Sequence, residues 1–390
     1  MSTPSLVGNW NYPTAVRFGP GRITELADIC KELGIKKPLL VTDPGLAALP
    51  MITNAINANN AAGVPTTLFS DVKPNPVGMN VEDGTKAYRA GDHDGVIAWG
   101  GGSGVDAAKA IALMAGQNRP LWDFEDVGDN WLRADENGIA PIIAVPTTSG
   151  TGSEVGRASV ITDESSHTKR LIFHPKMMPS IVLCDPELVT GLPKAMTAYT
   201  GMDALVHCFE AYVAPGYHPM AEGIALEGMR LIKKWLPIAV ADGSNIEARA
   251  QMMSAAAMGA TAFQKGLGAV HSLSHPVGAV YDAHHGLANA VFMPYVMEFN
   301  RSAIEDKMVL LGRFLGLEKT NYQGVLDWVL EMRSNLGIPH TAVSLGVEES
   351  RLDELSIMAA NDPTAGGNPI PVTAKDMRVM YGAALTGKID

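Results

Sequence analysis

The first half of the chain alternates short, strongly apolar runs with segments of helical periodicity, and this alternation is the strongest constraint on its fold. Apolar runs at 38–43, 64–70, 95–103 and 140–148 each predict a buried strand, and helical patterns separate them near 46–62, 81–90 and 105–116. Such β-α-β alternation is typical of a mainly parallel sheet with helices on both faces. Two further apolar runs, at 158–163 and 180–185, predict strands at the end of this half.

The pattern changes after about residue 190. Long helical stretches follow at 195–213, 218–240 and 245–263, and no convincing strand pattern precedes the C-terminus. We therefore predict an α/β domain with a parallel sheet over residues 1–190. An all-helical domain is expected over residues 191–390.

Charge and cysteine content narrow the class of protein. The chain carries 30 Lys and Arg against 41 Asp and Glu, a net charge of −11, and its basic residues cluster no more densely than in pairs. Such a chain repels a phosphate backbone, so we expect no nucleic-acid partner. Three cysteines without CxxC spacing suit a reducing compartment, and the N-terminus lacks a secretory pattern, so we expect a cytoplasmic protein. The longest apolar stretch, near 252–263, is too short to cross a bilayer, and we expect no membrane partner.

Two loops rich in small residues follow predicted strands. Gly102, Gly104 and Ala107 satisfy G-x-G-x-x-A, and glycines between a strand and a helix let the backbone approach a phosphate. The segment 146–153 brings hydroxyls and glycines together after another strand. Each loop by itself is equally well explained as a tight turn or a helix cap. Two such loops at one edge of a sheet favour a nucleotide or dinucleotide, because open α/β sheets bind ligands there.

Histidines are concentrated in the second half of the chain. Four of the ten fall within 15 residues, namely His271, His275, His284 and His285. Asp203 and His207 lie four residues apart in a helical pattern, so both side chains point to one face. Imidazole and carboxylate groups that converge in this way favour a divalent metal such as Fe(II) or Zn(II), and the absence of thiolates argues against a structural zinc site.

At these residues the sequence resembles the iron-containing (group III) alcohol dehydrogenases, over nearly the whole chain. The resemblance runs through FGPGRITEL, LLVTDPGL, KPNP, GGGS, PTTSGTGSEV, TGMDALVHCFEAY and GLGAVHSLSHPVGAVYDAHHGLANA. The last two segments are specific to the family, whereas the glycine loops are shared with glycerol dehydrogenases and dehydroquinate synthases. One departure stands in the last segment, where the family's Pro-His-Gly is His284-His285-Gly286.

The resemblance implies a Rossmann-like N-terminal domain, a helical C-terminal domain and one metal ion, Fe(II) or alternatively Zn(II). Its ligands would be Asp203, His207, His271 and His285. His275 would lie beside the metal as a catalytic residue on a proton path. A homodimer is the assembly that the resemblance implies.

The resemblance also implies an NAD(P) site in the N-terminal domain. The stretch from Leu188 to Leu192 would line the cofactor. The other residues that match cofactor-binding positions are Asp43, Asn75, Gly102, Ser103, Thr147, Thr148, Thr151 and Lys169.

The implied activity is hydride transfer between the nicotinamide and a small primary alcohol or aldehyde, with the metal acting as a Lewis acid. One alternative is a dehydrogenase of a small hydroxy acid or semialdehyde. A second is a lyase on the dehydroquinate-synthase scaffold, which should need a dense Lys and Arg set that the sequence lacks. A third, a non-catalytic nucleotide-binding protein, would not need the Asp and His set.

Asp43 bears on the choice of cofactor. It ends a predicted strand, where a carboxylate accepts hydrogen bonds from the adenosine ribose and repels a 2′-phosphate. We therefore expect NAD(H) in preference to NADP(H). The alternative explanation is an Asp that caps the turn at Pro44-Gly45.

The segment 263–267 precedes His271, and in similar proteins this region lines the substrate site. Phe263 and Leu267 would form one apolar wall if the preceding helix continued. Lys265 either faces solvent or an interface, or holds the carboxylate of an acidic substrate.

Overall fold

The computed structural model describes residues 13–389 with the exception of residue 167. These residues form two compact units, one spanning Pro13–Leu192 and the other beginning at Pro193. Each unit has its own cluster of buried apolar side chains. In the described part of the chain, no helix has the length and apolar character needed to cross a membrane.

The first unit is built on a six-stranded sheet whose neighbouring strands are all parallel. The strands of this unit are β1 (Ala15–Phe18), β2 (Pro38–Val41), β3 (Thr67–Phe69), β4 (Gly95–Gly100), β5 (Ile142–Pro146), β6 (Ala158–Asp163), β7 (Thr168–Phe173) and β8 (Ile181–Cys184). The order in the sheet is β1-β8-β5-β4-β2-β3. Its four central strands are buried along their whole length, because helices cover both faces of such a sheet.

The prediction of a parallel sheet followed by a helical region is confirmed, with one difference in the placement of a strand. The run at 158–163 forms β6, but β6 pairs antiparallel with β7 in a separate two-stranded sheet. Strand β7 has no counterpart among the predicted strands. The burial pattern of β7 is mostly intermediate, so this strand lacks the continuous apolar run that marks the other strands.

Five helices connect the strands of this unit. They are α1 (Leu26–Glu32), α2 (Pro44–Ala47), α3 (Pro50–Ala61), α4 (Gly78–Ala90) and α5 (Gly102–Met114). The single helix expected near 46–62 is therefore two. The break falls at Leu49, which is extended with ψ 144° because the following Pro50 disfavours a helical conformation there.

The second unit is helical throughout its described residues. Its helices are α6 (Lys194–Val213), α7 (Pro219–Ala241), α8 (Ile246–Ala262), α9 (Ala269–Tyr281), α10 (His285–Phe314), α11 (Tyr322–Asn335), α12 (Leu352–Ala360) and α13 (Ala374–Thr386). Helix α6 is buried on all sides over most of its length, including the face that carries Asp203, His207 and Glu210. Small residues bring its neighbours close: a Cβ on Gly228 of α7 would lie 2.5 Å from Sγ of Cys208.

The segment after α8 differs from the expectation. The helix ends at Ala262, and Phe263–Lys265 form a short 3₁₀ turn. Gly266 then takes φ 145°, a conformation that L side chains rarely adopt. Because the helix does not continue, the condition for an i,i+4 wall of Phe263 and Leu267 is not met.

Candidate metal centre and nucleotide-binding edge

Four side chains from three helices converge in the helical unit. Asp203 and His207 lie one turn apart on α6, His271 lies on α9, and His285 begins α10. One ligand atom from each lies within 4.8 Å of the others, and three of the four residues are buried. The structure therefore brings together the four residues that the resemblance implied as metal ligands.

The residue before His285 sets the start of α10. The His284 side chain caps the helix by accepting a hydrogen bond from the Leu287 amide at 3.3 Å. The departure from Pro-His-Gly therefore replaces a rigid residue by a helix cap, and His285 remains in the cluster.

Glu210 is not among the predicted site residues, and its carboxylate hydrogen-bonds to the ring of His271. Its Oε2 lies 2.6 Å from Nδ1 of His271, and its Oε1 accepts the Val270 amide at 2.7 Å. A carboxylate on Nδ1 fixes the ring and leaves Nε2 for a metal. A local signal existed, because Asp203, His207 and Glu210 are spaced i, i+4, i+7 on one face of α6.

His275 lies against two residues of the cluster. Its ring centroid is 5.9 Å from that of His271 and 5.4 Å from that of His285. Its Nδ1 is 2.8 Å from Oδ2 of Asp362. Burial by itself would raise the pKa of Asp362, but His275 and the hydrogen bonds from Thr364 lower it to about 2. Asp362 lies 87 residues from His275, so nothing local in the sequence indicated this pair.

The charge of the cluster fits a divalent cation. Asp203, Glu210 and Asp362 are all nearly buried, and histidines are their only ion-pair partners in the described chain. Although burial opposes it, this negative field raises the pKa of His271. A buried carboxylate needs a compensating charge, and imidazole with carboxylate suits iron or zinc. The residues present therefore fit the metal that the resemblance implied.

The other candidate site lies at the carboxyl edge of the parallel sheet, where the loops after β4 and β5 meet. A Cβ on Gly101 would lie 3.0 Å from Cγ2 of Thr148, and one on Gly102 would lie 2.6 Å from Cγ2 of Thr151. The Thr147 amide donates to the Gly100 carbonyl at 2.9 Å. The two loops that the sequence picked out separately are thus in contact.

Other predicted cofactor residues lie around the same edge. Nζ of Lys169 donates to Oδ1 of Asn75 at 2.9 Å. The Ser103 hydroxyl, in the first turn of α5, hydrogen-bonds to the Pro74 carbonyl. Leu188 and Leu192 follow β8, in a turn where the Leu192 amide donates to the Val189 carbonyl at 3.2 Å.

Asp43 follows β2 at this edge and caps α2. Its Oδ1 accepts the Leu46 amide at 3.0 Å. The capping role that was weighed as an alternative is therefore present. The carboxylate has a second oxygen, so the cap leaves room for a ribose contact.

A buried ion pair ties the loop after β5 to α5. Lys109 of α5 is fully buried, and its Nζ donates to the Ser153 carbonyl at 3.0 Å and to the Ala158 carbonyl. Asp106, one turn earlier, is 3.4 Å from that Nζ and accepts the Val160 amide at 3.0 Å. The pair holds both ends of the segment 153–160. Burial lowers the pKa of Lys109.

Lys265 has a partner of its own. Its side chain is 2 % exposed, and Nζ lies 2.6 Å from Oε1 of Glu222, which Lys307 contacts at 2.9 Å. Burial lowers the pKa of Lys265 to about 8, against the opposing effect of Glu222. The side chain therefore lies neither in solvent nor in an open position for a substrate carboxylate.

Comparisons with known proteins cover almost the whole chain. The family model for the iron-containing alcohol dehydrogenases matches residues 13–186, and that for the C-terminal part of the Fe-containing alcohol dehydrogenase family matches residues 197–385. A 4-hydroxybutyrate dehydrogenase of Cupriavidus necator is 39% identical over 95% of this chain and 97% of its own. An NAD-dependent methanol dehydrogenase of Bacillus methanolicus is 35% identical over 97% of this chain and 100% of its own. The crystal structure of a 1,3-propanediol oxidoreductase superposes with a TM-score of 0.92 at 34% identity, covering 97% of this chain and 100% of that one.

Proposed function

Because the chain belongs to the iron-containing alcohol dehydrogenase family, we propose that it interconverts small primary alcohols and aldehydes with NAD(H) and a bound divalent metal. The observation that carries the proposal is the Asp203, His207, His271 and His285 cluster, whose ligand atoms lie within 4.8 Å of one another. Iron is the metal that the family name implies, and zinc accepts the same ligands.

When bound, the metal supplies a Lewis acid and the nicotinamide supplies the hydride acceptor. The chain's own residues do the rest. Glu210 holds His271 in the tautomer whose Nε2 carries the lone pair that a metal would use. His275, oriented by Asp362, takes up the proton that the alcohol loses and passes it on. Burial of the cluster excludes water, which strengthens its electrostatic effect on the reacting oxygen.

The sheet unit is the proposed nucleotide-binding domain, and the helical unit is the proposed metal-binding domain. The contacts to the pyrophosphate and ribose are assigned to residues at the sheet edge, because the loops after β4 and β5 meet there and α5 begins there. These residues are Gly102, Ser103, Thr147, Thr148 and Thr151. The remaining cofactor contacts are assigned to Asn75, Lys169, Leu188 and Leu192. NAD is preferred over NADP because Asp43 repels a 2′-phosphate. The similar methanol dehydrogenase is NAD-dependent by name.

A second candidate substrate is a small hydroxy acid or its semialdehyde, favoured by the similarity to the 4-hydroxybutyrate dehydrogenase. The lysine that was one candidate for holding such a carboxylate, Lys265, is paired with Glu222. Comparison of kcat/KM for butanal and succinic semialdehyde decides between the two classes. If a Lys265→Met variant had a lower kcat/KM for succinic semialdehyde and an unchanged one for butanal, Lys265 would be assigned to the substrate site after all.

The assembly and the cellular location rest on separate grounds. A homodimer is proposed on family grounds, and sedimentation velocity measures it. A cytoplasmic location is proposed because all three cysteines are free thiols.

The test of the main proposal is NADH oxidation with short aldehydes by protein reconstituted anaerobically with Fe(II). Chelation should abolish turnover, and re-addition of Fe(II) or Zn(II) identifies the active metal. Absence of turnover with every aldehyde, in protein that holds both metal and NADH, would overturn the proposal.

A further inference from the structure

Asn289 lies in contact with three of the four residues in the metal cluster. It follows His285 by four residues on α10, so both side chains point to the same face. Its Nδ2 is 2.7 Å from Oδ1 of Asp203, 3.2 Å from Nε2 of His271 and 3.1 Å from Nε2 of His285. Its side chain is fully buried. The Asn289 amide is uncharged and unreactive, so its hydrogen bonds are what it contributes to the cluster.

The orientation of the amide is informative. Oδ1 of Asn289 is buried without a hydrogen-bond partner among the described residues, which costs about 1–3 kcal/mol. The reverse orientation would place this oxygen against the Asp203 carboxylate, where two acceptors repel each other. Nδ2 therefore faces the cluster because Asp203 needs a donor.

Only one of the three contacts survives when a cation occupies the cluster. A metal uses the single lone pair on Nε2 of His271 and of His285, so neither ring can accept from Asn289. A carboxylate oxygen has a second lone pair and can bind a metal and an N–H together. Asn289 is the one side chain in the described chain that donates a hydrogen bond to Asp203.

We propose that Asn289 is a positioning residue of the metal centre, whose N–H orients the Asp203 carboxylate toward the ion. The inference rests on the proposed metal-dependent function and adds a residue that is not itself a ligand. It parallels Glu210, which orients His271 by the same principle. Each of these two ligands thus has a hydrogen-bond partner on a different helix.

The experiment measures Co(II) binding to the full chain, because Co(II) reports its coordination in the visible spectrum. Asn289→Leu preserves size and removes the donor. The matched control is Asn59→Leu in α3, where a buried asparagine donates to Oγ1 of Thr66 at 3.1 Å. Both variants lose a buried hydrogen bond, but only the first faces the cluster. Asn289→Ala is the second variant if leucine prevents folding.

We expect Asn289→Leu to bind Co(II) about ten- to a hundredfold more weakly than the native protein, with shifted d–d bands. Asn59→Leu should melt at a lower temperature and keep the native Co(II) affinity and spectrum. An unchanged affinity and spectrum in Asn289→Leu would overturn the inference. So would the loss of one ligand from the Co(II) sphere, because Asn289 would then bind the metal directly.

Failure of the proposed function has a different signature. A native protein that binds Co(II) tightly but never oxidises NADH overturns the dehydrogenase activity and leaves the role of Asn289 standing. A native protein that binds no Co(II), Fe(II) or Zn(II) overturns both.

Discussion

The metal cluster and the sheet edge solve two different binding problems. The cluster is made of side chains from three helices, and two of them have hydrogen-bond partners that orient them: Glu210 for His271 and Asn289 for Asp203. The sheet edge combines polar side chains with closely packed backbone, and its shape depends on positions that lack a side chain, such as Gly102. A metal ion needs a few directed atoms, whereas a dinucleotide needs a long surface that the backbone can approach.

This difference predicts which kind of substitution should damage each region. Loss of a side chain should damage the cluster, whereas the glycine turns of the edge should be damaged by the gain of one. The two regions also lie in separate compact units, so a change in one should leave the ligand of the other bound. Four expected outcomes test this contrast.

The largest effect is expected for His271→Ala. Loss of one of four ligands should reduce metal content and turnover together, while the affinity for NADH stays native. Metal analysis, aldehyde-dependent NADH oxidation and NADH titration measure the three quantities. The companion variant His275→Ala should lower the rate while the metal stays bound. Full metal content with full turnover in His271→Ala would contradict the ligand assignment.

Lys109→Met tests the buried ion pair that supports the segment 153–160 at the sheet edge. Removing one partner of a buried ion pair should lower the free energy of unfolding by about 3–5 kcal/mol, and hydrogen exchange should accelerate over 153–160. NADH should bind more weakly while metal content stays native. The control is Lys86→Met, because Lys86 also pairs with an Asp three residues away but is 70% exposed. That exposed pair should contribute little to stability because solvent screens it, and equal losses in both variants would refute the role of Lys109.

Gly102→Ala adds a methyl group where the two loops touch. The new Cβ would lie 2.6 Å from Cγ2 of Thr151, so we expect overpacking to lower the free energy of unfolding by about 1–3 kcal/mol and NADH to bind more weakly. Thr151→Ser removes that methyl group and should restore part of the affinity in the double variant. Gly223→Ala, where nothing lies within 4 Å, is the control. Native NADH affinity in Gly102→Ala would contradict this prediction, because it would show that the two loops accommodate the methyl group without disturbing the cofactor site.

The smallest effect is expected for Asp43→Ala. Loss of the cap on α2 should cost about 1 kcal/mol, and the ratio of kcat/KM for NADH to that for NADPH should fall. Asn245→Ala removes the cap of α8, where Oδ1 accepts the Ala248 amide at 2.9 Å. This control should lose similar stability and keep the native cofactor ratio. An unchanged ratio in Asp43→Ala would reduce Asp43 to a helix cap.

Local periodicity was enough to predict the architecture. Apolar runs of strand length that alternate with helical patterns are compatible with few folds other than a parallel sheet covered by helices. That sheet is observed. The same local rules placed Asp203 and His207 on one face of α6, because a helix repeats every 3.6 residues. They failed at the segment 263–267, where Gly266 ends the helical conformation, and at β7, whose partly buried residues carry no strong pattern.

Tertiary structure alone decided which distant residues support the site. Asp362 and His275 are 87 residues apart and Asn289 and Asp203 are 86 apart, so no spacing rule relates them. The pairing of Lys265 with Glu222 likewise depends on how α7 packs near the turn after α8. A sequence determines which side chains share a helix face through the local backbone repeat. Contacts between helices depend on the packing of the whole core, and these contacts bring the four ligand atoms together.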